Sequence, residues 1–294
     1  MSIIEYVKYS EDQLVNWTKP ASDTEEQKAN NAISMVAEAV GDYDWSRYSL
    51  VKPKLLLKGS YKSNTNVRLD SDVDLYVLFE SQRYTITSDQ DISSNHVGNS
   101  GITCDDLRNH VWLALKTRFG DYVAPGNRAF KIHSSTYRVD ADVSTFVEAY
   151  HEDSPDEGIC FKSANDKSFF VNYPNQNHDN GVNKNNATSR NYKKIVRILK
   201  NIRNDMQLDT PSFMLESLVY NTPDYFFVDK TILGATTYAQ KVCSIMEYLY
   251  PLVKDQSGLF FEVNGLKRLF SNKQKWNVSE ALNFMTKVYE RIDK

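Results

Sequence analysis

The sequence predicts an α/β (α+β) chain, with strands in its first part and a helical lobe at its C-terminal end. Three observations carry that expectation. Leu55 to Phe79 and Lys131 to Val143 alternate apolar and polar residues as half-buried strands do. Helical spacing flanks the first stretch, with Ala29, Ala32, Ile33, Val36 and Val40 before it and Leu107, Val111 and Leu115 after it. From Tyr192 onward the apolar residues recur at helical intervals, in 192–206, in Thr231 to Tyr250 and in Ser279 to Ile292.

Composition bounds the function. At 294 residues the chain can hold one large domain or two lobes. Hydrophobic residues at 41% and charged residues at 25% describe an ordinary globular protein. A net charge of −3 argues against a dominant non-specific nucleic-acid binder, which would be basic. Cys104, Cys160 and Cys243 stand far apart without metal-ligand spacing, so a reduced, cytoplasmic protein is expected. Neither a leader pattern nor a membrane-spanning apolar run is visible.

Taken in order, residues 21–41 read as a helix. Ser22 and Glu25 make a capping-box pattern at its start, and Gly41 is its expected stop. Leu55 to Phe79, LLLKGSYKSNTNVRLDSDVDLYVLF, holds the chemistry. Strand alternation points Asp72 and Asp74 to one side and buries Val73, Leu75, Val77 and Phe79 on the other. Two like charges on one strand face repel each other. A hard divalent cation such as Mg²⁺ between the carboxylates gives the arrangement a purpose. Gly59 lets the backbone approach a ligand, and the backbone N–H groups and hydroxyl at Gly59-Ser60 can hold phosphate oxygens. A Gly-Ser pair alone is an ordinary turn, and Asp-x-Asp alone is an ordinary solvated strand. Together, at this distance, they point to nucleotidyl transfer assisted by two cations.

Residues 80–103 are polar and expected as a long loop, with a helix from Asp105. In Lys131 to Val143 the parity puts Val139, Ala141 and Val143 on one face and Arg138, Asp140 and Asp142 on the other. Either acid could serve as the base that takes a proton from an attacking hydroxyl. Glu152 to Lys167 is polar, an expected crossing between lobes. VNYPNQNHDNGVNKNNATSR is too rich in Asn and Gly to be expected as regular structure. In Tyr192 to Met206, Ile195, Ile198, Leu199, Ile202 and Met206 mark a buried stripe, while Lys193, Arg197 and Lys200 share another face. A basic helical face is most often simply solvated. After a catalytic motif, triphosphate binding competes with that explanation on even terms.

The motif G-S-(x)11-D-V-D-L resembles the signature of polymerase-β-like nucleotidyltransferases. The fuller GSYKSNTNVRLDSDVDLYV is similar to the bacterial relatives of cyclic GMP-AMP synthase, the DncV-like cyclic oligonucleotide synthases (CD-NTases) of anti-phage signalling. The resemblance spans roughly residues 55–220. It implies a catalytic core with a mixed sheet and a long N-terminal helix over 1–165 and a helical lobe over 166–294 completing the nucleotide cleft. The family's A-D-V on the second strand implies Asp142 as the third acid, with Asp140 in reserve; Ser144-Thr145 stands where the family often has Val-Pro. Asp72, Asp74 and Asp142 are then implied to hold two Mg²⁺ ions, with Mn²⁺ able to substitute. Lys200 and PSFMLESLVY match the family's helix-ending Lys followed by Ser-aromatic. That match implicates Gly59, Ser60, Lys200 and Ser212 in triphosphate binding and Phe213 in base stacking, against a plain core aromatic. The segment at His178 resembles Y-P-x-x-H-x-x-N-G with the His one position late. Asn172, on the short strand FFVNY, is implied as a reader of the base edge in the pyrimidine-using branch.

Three functions follow: a cyclic-nucleotide second-messenger synthase signalling to a downstream effector protein, a template-independent nucleotidyltransferase acting on RNA, protein or a small molecule, and a non-catalytic nucleotide-binding module. Clustered acids on two strands argue against the third. Acidity argues against RNA-end polymerisation, and the lack of a His/Cys cluster argues against direct DNA sensing.

Overall fold

The computed structural model describes residues 8–48, 50–67, 72–87, 92–98, 102–151, 157–229, 236–272 and 274–292. The chain divides into two compact units, residues 21–62 with 71–174, and residues 1–20 with 63–70 and 175–294.

The first unit is a mixed sheet with helices on one face. Strands β1 (Lys54–Lys58), β2 (Val73–Ile86), β3 (Ile92–Gly98), β4 (Val123–Pro125), β5 (Phe130–Ile132), β6 (Ala141–His151), β7 (Glu157–Lys162) and β8 (Phe169–Asn172) run in the order β1-β2-β6-β5-β4. β3 pairs with β2, and β7 joins β6 to β8. β2 and β6 are parallel neighbours, and the other pairings are antiparallel. Val73, Leu75, Val77 and Phe79 are buried on the face against which α2 (Asp23–Asp42) and α4 (Cys104–Phe119) pack, as alternation requires. Tyr76 and Leu78 are buried on the opposite face with Phe146, Ile159 and Phe161, because β2 is a central strand.

The Ser22–Glu25 capping box forms, but α2 runs through Gly41 to Asp42 and stops at Tyr43. A single glycine costs a helix only about 1 kcal/mol, which the packing of Val36, Ala39 and Val40 offsets. The expected loop over 80–103 is largely a hairpin: β2 extends to Ile86 and turns back into β3. Gln82 and Ile86 are buried in that extension, so polar composition concealed a strand. The Lys131 to Val143 stretch is two strands, β5 and β6, with Asp140 just ahead of the second. Arg138 lies between them, buried, with its guanidinium over the Phe119 and Tyr122 rings. The expected lobe crossing contains strand β7, whose Gly158 to Phe161 run is buried; residues 152–156 lie outside the described residues.

The second unit is helical: α1 (Glu11–Trp17), α5 (Pro174–Ala187), α6 (Asn191–Asp205), α7 (Ser212–Tyr220), α8 (Tyr238–Gln256) and α9 (Val278–Arg291), while the short α3 (Gly59–Ser63) belongs to the sheet unit. Its core joins Ile195, Ile198, Leu199 and Ile202 of α6 to Leu215 of α7, Ile245 and Leu249 of α8 and Phe284 of α9. The Glu11 carboxylate accepts from the Tyr238 and Ala239 backbone N–H groups at the start of α8, and Tyr9 bridges Ile292. The Asn-rich 171–190 segment, expected to be irregular, contains α5. Pro174 suits a first helical position. Asn180 donates to the Val263 carbonyl at 2.9 Å and Lys184 pairs with Asp224 at 2.6 Å, so tertiary contacts override weak propensity. The start expected at Thr231 lies outside the described residues, and α8 continues past Tyr250 through Pro251. Among the described residues no helix is long and apolar enough to cross a membrane.

Candidate active site

Register assembles the site from side chains on four strands. Lys58 of β1 stands beside Asp74 of β2, Asp74 beside Asp142 of β6, and Asp142 beside Lys131 of β5. Residues paired across neighbouring strands share a sheet face, so the row reads cation, acid, acid, cation. Asp72, two residues before Asp74, ends the polar connection from α3.

Each lysine is held differently. The Lys58 ammonium donates to Ser144 Oγ at 3.2 Å and lies 5.3 Å from the Phe146 ring centre. Burial pushes its pKa down, opposed by the charges of Asp74 and Asp142. Lys131 is half-exposed and bridges Asp72 Oδ2 at 3.3 Å and Asp140 Oδ2 at 3.4 Å. Partial burial pulls its pKa down, but those two carboxylates outweigh it and hold it above the ordinary value.

The two candidates for the third acid differ as sharply. The Asp142 carboxyl is pushed up, first by burial and then by the charge of Asp72, with Lys131 and Lys58 opposing. Asp140 is pushed up by burial but held below the usual range overall, because the Ser134 backbone N–H, the Ser134 side chain and Lys131 favour its charged form. Asp142 shares its row with Asp74, whereas Asp140 accepts from the Ser134 backbone N–H and pairs with Lys131.

Gly59 of the Gly-Ser turn lies against Asp74. Gly59 has φ of 66° and opens α3, with Ser60 next in that short helix. A Cβ at Gly59 would fall 2.2 Å from Asp74 Oδ2, so backbone and carboxylate share a space only glycine leaves open.

Among the described residues no three His, Cys, Asp or Glu side chains already stand in metal-holding geometry. Asp72 leans to Lys131 instead. The donor chemistry nonetheless suits a hard divalent cation: carboxylate oxygens from Asp72, Asp74 and Asp142, with like-charge crowding registered at Asp142.

In the helical unit, Lys200 is buried. Its ammonium donates to Thr65 O at 3.0 Å and Thr65 Oγ1 at 3.2 Å, and lies 3.8 Å from Glu216 Oε2, which also accepts from Thr65 Oγ1 at 3.0 Å. Arg197 donates to the Thr18 and Asn64 carbonyls at 2.6 and 2.7 Å. At these two positions the basic face of α6 is a buried brace for the 63–67 segment. Ser212 is the first residue of α7 and accepts from Arg203. Phe213 packs against the helical core, 6.3 Å from the Trp276 ring. Asn172 closes β8 opposite Ile159, which pairs with Glu148 on β6. Glu148 has the parity of Asp142, so Asn172 stands on the acid-bearing face.

Sequence reasoning missed Lys58, Lys131, Thr65 and Glu216. Of the two lysines, Lys58 had a signal, since it directly precedes Gly59 of the motif; Lys131 had none, because it shares the parity of Val139, Ala141 and Val143 and meets Asp142 only through strand register. Thr65 and Glu216 had none, since 151 positions separate them.

The C-terminal helical domain of cGAS/DncV-like nucleotidyltransferases matches residues 179–293. The cyclic dipyrimidine nucleotide synthase CdnE of Legionella pneumophila is 32% identical, covering 95% of this chain and 96% of the relative. The cyclic dipurine nucleotide synthase of Elizabethkingia meningoseptica is also 32% identical, covering 97% and 99%. Among solved structures, the Rhodothermus marinus CdnE c-UMP-AMP synthase with Apcpp and Upnpp superposes with a TM-score of 0.78 at 28% identity, covering 95% of each chain.

Proposed function

The chain belongs to the cGAS/DncV-like nucleotidyltransferases, and from that premise we propose that it joins NTPs into a cyclic di- or oligonucleotide. The observation that carries this is the pairing of Asp74 with Asp142 on adjacent parallel strands, with Gly59 packed on Asp74. In each step a ribose hydroxyl oxygen bonds to the α-phosphorus of a 5′-triphosphate, the bond from that phosphorus to the α–β bridging oxygen breaks, and pyrophosphate leaves; the triphosphate belongs to another NTP in the joining steps and to the linear intermediate itself in the step that closes the ring. The hydroxyl proton passes to Asp142, which the strand register sets beside Asp74. Two Mg²⁺ ions held by Asp72, Asp74 and Asp142, with Mn²⁺ as a substitute, would neutralise charge on the attacking and leaving oxygens.

Gly59 and Ser60 hold donor phosphates through backbone N–H groups and hydroxyl. Motif resemblance assigns Lys200 and Ser212 to the triphosphate and Phe213 to base stacking. Asn172, on the acid-bearing face, reads the base edge. Equal identity to a dipyrimidine and a dipurine synthase leaves the base to such local contacts. The enzyme works in the cytoplasm, where NTPs are available and its three buried thiols stay reduced, and its product acts on a downstream effector in antiviral defence. Incubating the protein with NTPs and Mg²⁺ or Mn²⁺, then identifying phosphatase-resistant products by mass spectrometry, tests this function.

A further inference from the structure

The two lysines that end the acid row differ in one physical respect. Lys58 is fixed against Ser144 and the Phe146 ring. Lys131 is exposed at 44% of its side chain and reaches each of two carboxylates through a single long contact, 3.3 Å to Asp72 and 3.4 Å to Asp140. Contacts of that length are weaker than the 2.7–2.9 Å typical of charge-assisted bonds. The two acids it bridges are unequal as well. Asp140 is anchored through Ser134, whereas Asp72 stands ahead of β2 with its side chain 47% exposed.

We propose that Lys131 is an exchangeable counter-cation that holds Asp72 toward Asp140 and surrenders it to the divalent metal. Lys131 thereby sets the metal concentration at which the carboxylates assemble. The inference rests on the metal-dependent function proposed above. It also gives Asp140 a role outside the reaction: Asp140 retains the ammonium once Asp72 turns to the metal. A lysine suits this task better than an arginine, being a compact charge on a flexible stem without a bidentate grip.

The consequence is competition: the metal must displace an ammonium from Asp72, so removing that ammonium strengthens metal binding. An exposed ion pair of this kind corresponds to about a two- to fivefold change in affinity. Lys131 is a positioning residue here, and the test reads metal binding rather than turnover. Free Mn²⁺ would be titrated by electron paramagnetic resonance on nucleotide-free wild-type protein and on Lys131→Met, Lys131→Gln, Lys131→Arg and Asp74→Asn. The expected result is tighter Mn²⁺ binding by Lys131→Met and Lys131→Gln, with Lys131→Arg at or below wild-type affinity. Equal or weaker binding by both neutral variants overturns the proposal while leaving the metal site intact. Indistinguishable binding by wild type and Asp74→Asn overturns the metal site and this inference together.

Discussion

Gly59 and Asp74 occupy complementary space: a Cβ on the glycine would lie 2.2 Å from the carboxylate oxygen. The turn and the acid are therefore one device. Gly59→Ala must move Asp74 or shift the turn, and it also places a side chain at a φ of 66°. The backbone cost is about 1–2 kcal/mol. We expect a modest drop in melting temperature and a loss of turnover of about a hundredfold, because small misplacements at reacting groups are expensive. Wild-type turnover in a folded Gly59→Ala variant would separate the turn from the chemistry.

Asp142 and Asp140 should respond to pH in opposite directions. The folded pKa of Asp142 is raised. Its contribution favours the fold below the unfolded carboxylate range and is lost as pH rises through the folded value. In metal-free protein, Asp142→Asn should therefore melt higher than wild type at neutral pH, with the gap closing in acid. The folded pKa of Asp140 is lowered, so its stabilising contribution is present above the unfolded value and lost as pH falls. Asp140→Asn should melt lower at neutral pH and converge on wild type in acid. Thermal melts of both variants in chelator across pH 3–8 read the two signs.

Lys200 is expected to matter for stability before any nucleotide binds. Removing one partner from a buried charged pair costs about 3–5 kcal/mol. Lys200→Met should approach that loss in urea unfolding, and adding Glu216→Gln should recover part of it. A charge-assisted phosphate contact at Lys200 would weaken NTP binding about ten- to a hundredfold when lost. Unchanged stability in Lys200→Met would contradict the brace formed with Thr65 and Glu216.

Local periodicity exposed the strand of Asp74, the second strand of Asp142, the capped helix at Ser22 and the apolar stripe of α6, although it also placed on that first strand Asp72, which lies just ahead of it. These signals depend on neighbours within a few residues. The extension of β2 beyond Phe79 stayed hidden because its polar composition reads as a loop although Gln82 and Ile86 are buried, and β7 stayed hidden because its partners β6 and β8 are set only by the fold. α5 stayed hidden because contacts from Asn180 and Lys184, not propensity, fix it as a helix. The acids were legible as residue types, but their pairing with Lys58 and Lys131 depends on a four-strand register that no local pattern encodes. Arg197 and Lys200 illustrate the same limit: their charges suggested an open basic face, and their partners sit over 130 positions away.

Asn172 offers both a donor and an acceptor, so it can pair with the amide face of uracil, whereas serine offers one short hydroxyl. With an equimolar NTP mixture, Asn172→Ser should shift the product spectrum from UTP toward purines. An identical spectrum would remove Asn172 as the base reader.

The most direct measurement is product identification. Purified wild-type protein and the Asp72→Asn, Asp74→Asn and Asp142→Asn variants would be incubated with all four NTPs and Mg²⁺ or Mn²⁺, treated with phosphatase and analysed by mass spectrometry. The predicted result is a phosphatase-resistant cyclic nucleotide from the wild type and none from the three variants. Only linear products, transfer to an added RNA or protein acceptor, or a cyclic product undiminished in Asp74→Asn would contradict the account.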